Sequence, residues 1–91
     1  MEHDLKSWPD FFSALENGSK TFEVRRTDRK FTVGDTLLLR EWEPGSGTYT
    51  GRELRRAVTY IHLPHERAGD DWPLNHRFCV LGIAPAAGPR A

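Results

Sequence analysis

Lys20, Glu23 and Arg25 bring two cations and a carboxylate into one short run, Gly18-Ser19-Lys20-Thr21-Phe22-Glu23-Val24-Arg25. Three kinds of chemistry suit that spacing. In a partly dry cleft, Lys20 and Glu23 shift each other's protonation, and a desolvated lysine serves as a base with the glutamate as acid or orienting group. The same groups suit a ligand-binding cleft. They also suit a purely structural ion network that ties a strand to its neighbour. Around them Lys20, Arg25, Arg26, Arg29 and Lys30 face only Glu23 and Asp28, a local positive excess of the kind that contacts phosphate. Arg52, Arg55 and Arg56 extend the basic character further along the chain. Trp42, Tyr49 and Tyr60 offer stacking faces, each worth about 1–3 kcal/mol per base where exposed. The four histidines, His3, His62, His65 and His76, show no ligand spacing with Cys or carboxylates, so neither metal nor cofactor is expected. There is no phosphate-binding glycine-rich loop, and Gly45-Ser46-Gly47 fits a hairpin turn.

The elements that must position these residues follow from periodicity. Residues 3–6 make a short extended start, and Ser7 is expected to cap a helix with Pro9 and Asp10 in its first turn. Trp8, Phe11, Phe12 and Leu15, three and four apart, predict a single core-facing helical face. Gly18 suits the left-handed residue that ends a helix. The strand at 21–25 then separates Phe22 and Val24 from Thr21, Glu23 and Arg25. A tight turn at 32–35 feeds a strand at 36–42, whose Leu37-Leu38-Leu39 centre predicts burial on both faces. Residues 43–48 read as a hairpin loop, and the return strand runs from about 49 to 63, strongest at 57–61. Residues 64–75 read as a long surface loop, 76–83 as a last strand and 85–91 as a disordered tail.

The chain of 91 residues allows one domain, at 1–84, with a single small core. Its thirteen basic and thirteen acidic residues balance, so any polyanion site must be a local patch. One cysteine, Cys79, excludes an intramolecular disulfide and sits in an apolar run as a buried strand residue. Neither a signal peptide nor a membrane span is legible, and a cytoplasmic monomer is expected. The predicted fold is mainly β within the α+β class: a small antiparallel or mixed barrel of about five strands with one N-terminal helix, since closure hides the edges of so small a sheet.

The motif Gly18-x-Lys20-x-x-Glu23-x-Arg25 after a helix, with Val33-Gly34-Asp35 before an apolar strand, resembles the ASCH domains of the PUA-like superfamily. The further blocks His3-Asp4-Leu5-Lys6, Leu38-Leu39-Arg40-Glu41-Trp42, Tyr49-Thr50-Gly51-Arg52-Glu53, Val58-Thr59-Tyr60-Ile61 and Val80-Leu81-Gly82-Ile83 resemble a small bacterial and phage family of unknown function within that group. The resemblance implies a PUA-like barrel with a helix beside a cleft, and a role in binding RNA or a nucleotide. The expected cleft is walled by Lys20, Glu23 and Arg25 and flanked by Arg40 and Trp42. Lys6, Arg26, Arg29 and Arg52 complete the expected contact set. Some ASCH proteins resemble hydrolases of N4-acylated cytidine that use a lysine, a threonine and a glutamate. Lys20 matches the lysine, whereas Glu23 stands at the threonine position. Hydrolysis of a modified nucleoside or of RNA, with Lys20 and Glu23 catalytic, is the alternative reading, and a protein-interaction module is a third.

Overall fold

Local propensities and turn residues divide the chain into β1 (Glu2–Ser7), α1 (Pro9–Glu16), β2 (Phe22–Arg26), β3 (Thr36–Glu43), β4 (Thr48–His62) and β5 (Phe78–Pro85). These elements come from a computed structural model that describes residues 1–64 and 77–86. The strands form one mixed sheet in the order β1-β3-β4-β5-β2, curled into a half-barrel. This is the small, mainly β architecture with one helix that the pattern predicts. Only β1 and β3 run parallel; the other pairs are antiparallel. The two edge strands meet at an open seam, where the Arg25 guanidinium donates to the Lys6 carbonyl at 2.8 Å.

Alternation along the strands aims Leu5, Leu37, Leu39, Val58, Cys79, Leu81 and Ile83 into the curl, where Leu15 and Phe31 join them. Leu37 and Leu39 are fully buried, but Leu38 is only half-buried. The double-sided burial expected of β3 therefore does not occur. With a single helix among the described residues, one face of the sheet is packed and the other carries polar and aromatic side chains.

Two expectations at the helix start are corrected. Ser7 does not cap α1: it is the last residue of β1 and points inward, while Trp8 takes the cap position with no side-chain cap bond. Nor is the apolar face all core. Phe12 and Leu15 are buried, whereas Trp8 and Phe11 are each 55% exposed. The helix has only eight residues, and Phe11 lies on the flank of its stripe while Trp8 precedes the first turn, so neither reaches the interior. The helix stop is as predicted. Gly18 has φ +85°, its N–H donates to the Leu15 carbonyl, and the Lys20 N–H returns to the Ala14 carbonyl at 3.0 Å. The expected hairpin also forms, closed by the Gly47 N–H on the Glu43 carbonyl with Gly47 at φ +67°.

Asp35 fastens the start of β1 to the turn before β3. Its Oδ2 lies 2.8 Å from His3 Nε2 and accepts the Thr32 N–H at 2.9 Å. The hydrogen bond with His3, supported by the Thr32 N–H and the terminal ammonium, outweighs desolvation and lowers the carboxyl pKa from 3.8 to about 2. Of the predicted loop at 64–75 and tail at 85–91, residues 65–75 and 87–91 lie outside the described residues. Pro85 closes β5. No helix among the described residues is long and apolar enough to cross a membrane.

Candidate functional site

The inward turn of the charged motif follows from strand register. Glu23 sits opposite Leu81, and Arg25 opposite Cys79. Directly opposed residues on antiparallel strands point to the same side. Because β5 must bury Cys79, Leu81 and Ile83, Glu23 and Arg25 are carried inward, and Phe22 and Val24 are left about half exposed. A slip by one residue would bury Phe22 and Val24 at the expense of this pairing. Core packing of β5 therefore dictates a buried carboxylate on β2.

Glu23 is only 3% exposed, and a carboxylate so placed needs compensating charge. Lys20 Nζ donates to its Oε1 at 2.7 Å and Arg25 Nε to its Oε2 at 3.0 Å. The Gly18 turn delivers Lys20 to this point, and the Lys20 ammonium also lies 5.3 Å from the Phe11 ring and 5.4 Å from the Phe22 ring. The three motif residues converge as the spacing predicts. They wall a cavity of about 450 Å³ at the seam, bounded also by Ser7, Trp8, Phe11, Phe22 and the Lys6 segment. Its walls are mainly apolar, with the ion network along one side. Ser7 Oγ is buried at its edge with no hydrogen-bond partner among the described residues.

Other expected contact residues lie elsewhere. Arg40 and Trp42 do not flank the cleft. They stand on the outer face of β3, because Leu37, Leu39 and Glu41 occupy the inward positions of that strand. Arg40 reaches Asp4 at 3.4 Å and Glu53 at 3.1 Å, and covers Tyr49 at 3.8 Å. Trp42 meets Tyr49 edge-on at 4.9 Å, under the Lys6 ammonium at 4.0 Å. Lys6 thus borders the cleft through its strand while its ammonium sits over Trp42. Arg52 is also remote from the cleft: it pairs with Glu16 at the end of α1 and, at 3.5 Å, with the buried Glu41. Thr50 Oγ1 donates to Glu41 at 2.7 Å, so that carboxylate is satisfied too. Arg52 clamps the helix onto β3 and β4, and its ion pair with Glu16 raises its pKa. Arg55 pairs with Glu2 at 2.8 Å, and Arg56 donates to the Leu15 carbonyl at 3.2 Å. Tyr60 is exposed. Arg26 and Arg29 border a second hollow of about 320 Å³ that shares Val24 and Arg25 with the cleft.

Sequence reasoning missed Ser7, Trp8 and Phe11 as cleft residues. The brevity of the helix was the available signal for the two aromatics, since two turns cannot bury four large side chains. Nothing in the sequence marks Ser7 beyond its place between strand and helix. Among the described residues, no group of three His, Cys, Asp or Glu side chains is placed to hold a metal ion. Cys79 is buried beneath β2, and desolvation together with the charge of Asp28 raises its thiol pKa.

Residues 2–83 match a family described as "Domain of unknown function (DUF3850)", and the chain belongs to that family. It is also similar to a protein of Escherichia phage P2, "Uncharacterized 12.9 kDa protein in GpA 3'region", with 37% identity over 80 residues, spanning 88% of this chain and 69% of the phage protein.

Proposed function

We propose that the domain is an ASCH-type module of the PUA-like superfamily that binds single-stranded RNA or a nucleotide in the seam cleft, as a cytoplasmic monomer. The observation that carries this reading is the pairing of exposed apolar walls with a buried ion network in one cavity. Trp8, Phe11 and Phe22 are large, half-exposed side chains around a hollow of about 450 Å³, a size typical of small-ligand sites. Half-exposed aromatics beside a concavity suit the flat face of an unpaired base. Lys20 and Arg25 bring positive charge to its edge, while Glu23 adds a carboxylate with lone pairs left over for a base's amino group. In this arrangement Lys20 is engaged as a donor to Glu23, which supports binding over hydrolysis.

Titration of a single-stranded RNA decamer at several salt concentrations tests the proposal. Binding at low ionic strength that weakens linearly with log salt is expected, as is loss of at least tenfold in affinity for Lys20→Ala combined with Arg25→Ala. Absence of binding at low salt, or affinity unchanged in that variant, would overturn it. Turnover of an N4-acylated cytidine that disappears in Lys20→Ala would replace it with the hydrolase reading.

A further inference from the structure

The second hollow differs from the cleft in chemistry. Arg25, Arg26 and Arg29 border it, with Asp28 the one acid among them, above a floor that includes Phe31. Among the described residues, Arg26 and Arg29 form no ion pair or side-chain hydrogen bond, in contrast to Arg40, Arg52 and Arg55, each of which is held by a carboxylate. Arg25 is already held by Glu23, so among the described residues the uncompensated charge at this hollow is that of Arg26 and Arg29 against Asp28, a positive edge that attracts an anion. The planar fork of arginine also matches two phosphate oxygens at once.

The two hollows are adjacent compartments of one seam. Arg25 borders both: its Nε holds Glu23 at 3.0 Å on the cleft side, and its terminal nitrogen holds the Lys6 carbonyl at 2.8 Å across the seam. An apolar compartment and a cationic compartment that share Val24 and Arg25 as a common border match the two halves of a nucleotide. We propose that the hollow bordered by Arg25, Arg26 and Arg29 is a phosphate subsite, so that the protein recognises a phosphorylated nucleotide unit with its base in the cleft and its phosphoryl group against these arginines. The proposal rests on the nucleotide-binding reading of the cleft. Within it, Arg26 and Arg29 supply discrimination between nucleotide and nucleoside.

Calorimetric titrations at low ionic strength with nucleosides, the corresponding 5′- and 3′-monophosphates, single-stranded RNA and inorganic pyrophosphate test it, in the wild type and in the Arg26→Ala/Arg29→Ala variant. The expected result is a monophosphate bound at least tenfold more tightly than its nucleoside, with the advantage lost in the variant and nucleoside affinity retained. For RNA, the variant should also show a shallower salt dependence, by about 0.7 in slope for each phosphate contact removed. A preference for free monophosphate over RNA identifies a nucleotide ligand; the reverse identifies an RNA backbone, and both support the subsite. Equal affinity for nucleoside and monophosphate, or equal weakening of both in the variant, overturns it and leaves the cleft reading standing. If nucleosides, nucleotides and RNA all fail to bind, the cleft reading falls. Pyrophosphate binding lost in the variant would then still support the subsite, and its absence would overturn that as well.

Discussion

Replacing Glu23 by glutamine tests whether the inward-facing charge network is part of what holds the fold together. The contacts of 2.7 Å to Lys20 and 3.0 Å to Arg25 correspond to gross attractions of about 6 kcal/mol each at an effective dielectric of about 20. Desolvation of the carboxylate cancels much of this, and breaking a fully buried pair typically costs about 3–5 kcal/mol. The side chains of Lys20 and Arg25 are 18% and 23% exposed, so water recovers part of the lost interaction, and Glu23→Gln keeps the shape and some hydrogen bonding. A loss of about 2–3 kcal/mol is expected, against a total of about 5–14 kcal/mol for a domain of this length. The midpoint of thermal unfolding should fall by about 10–20 °C. Urea unfolding followed by tryptophan fluorescence measures the loss, with Trp8 bordering the same cleft as a local reporter. Combining Glu23→Gln with Lys20→Met should destabilise by less than the sum of the single changes, with a coupling of about 1 kcal/mol or more. A loss under about 0.5 kcal/mol, or strict additivity, would refute the reasoning: the carboxylate would then be solvated rather than held by its two cations.

Ser7→Ala removes a buried hydroxyl that has no partner among the described residues, so it should leave stability unchanged or raise it by up to about 1 kcal/mol in urea unfolding; a clear destabilisation would mean that the hydroxyl is satisfied in solution. Because the pKa of Asp35 is depressed in the fold from 3.8 to about 2, its contribution is complete above about pH 4 and is lost as the pH falls through about 2. Asp35→Asn should therefore lower the melting temperature at pH 7 and flatten its dependence on pH between 4 and 2, and an undiminished acid dependence in the variant would count against this role. Cys79, buried with a raised thiol pKa, should react with a thiol reagent at pH 8 at least about a thousandfold more slowly than in denaturant, as expected if labelling requires opening of the fold; fast labelling of the folded protein would contradict its burial.

The fold was legible wherever local signals agree. Gly18 and Gly47 carry positive φ at the two places where the chain must stop a helix and reverse a hairpin, and apolar, strand-forming runs located β3, β4 and β5. Facing was less accessible, because it is decided between strands. The segment from Phe22 to Arg26 alternates apolar and charged residues, and taken alone it gives no reason for the charges to point inward. The reason lies in β5, more than fifty residues away, whose three buried side chains fix the register through Glu23–Leu81 and Arg25–Cys79. The same kind of distant cause misplaced Arg40 and Trp42: both belong to an apolar-looking strand, and only the inward commitment of Leu37, Leu39 and Glu41 turns them to the outer face. Trp8 and Phe11 are a third case, since helical spacing records which residues share a face but not how far the packing surface extends.

Departures from local rules are informative according to whether they are compensated. Among the described residues, buried acids occur at three places in the half-barrel. Asp35 is matched by His3 and the Thr32 N–H, and Glu41 by Thr50 and Arg52; at both, polar demand is met among neighbouring elements. Around Glu23 the demand is met only at the carboxylate itself. Among the described residues Ser7 beside it has no partner, and Trp8, Phe11 and Phe22 stay half exposed around the same hollow. An unmet hydroxyl and uncovered aromatic surface each reduce stability; Tyr60 on β4 is exposed as well, away from the hollow, but three exposed rings meet the unmet hydroxyl here. Their convergence on the one seam that the sheet leaves open is what an occupant would resolve, by covering the rings and supplying the missing hydrogen bond.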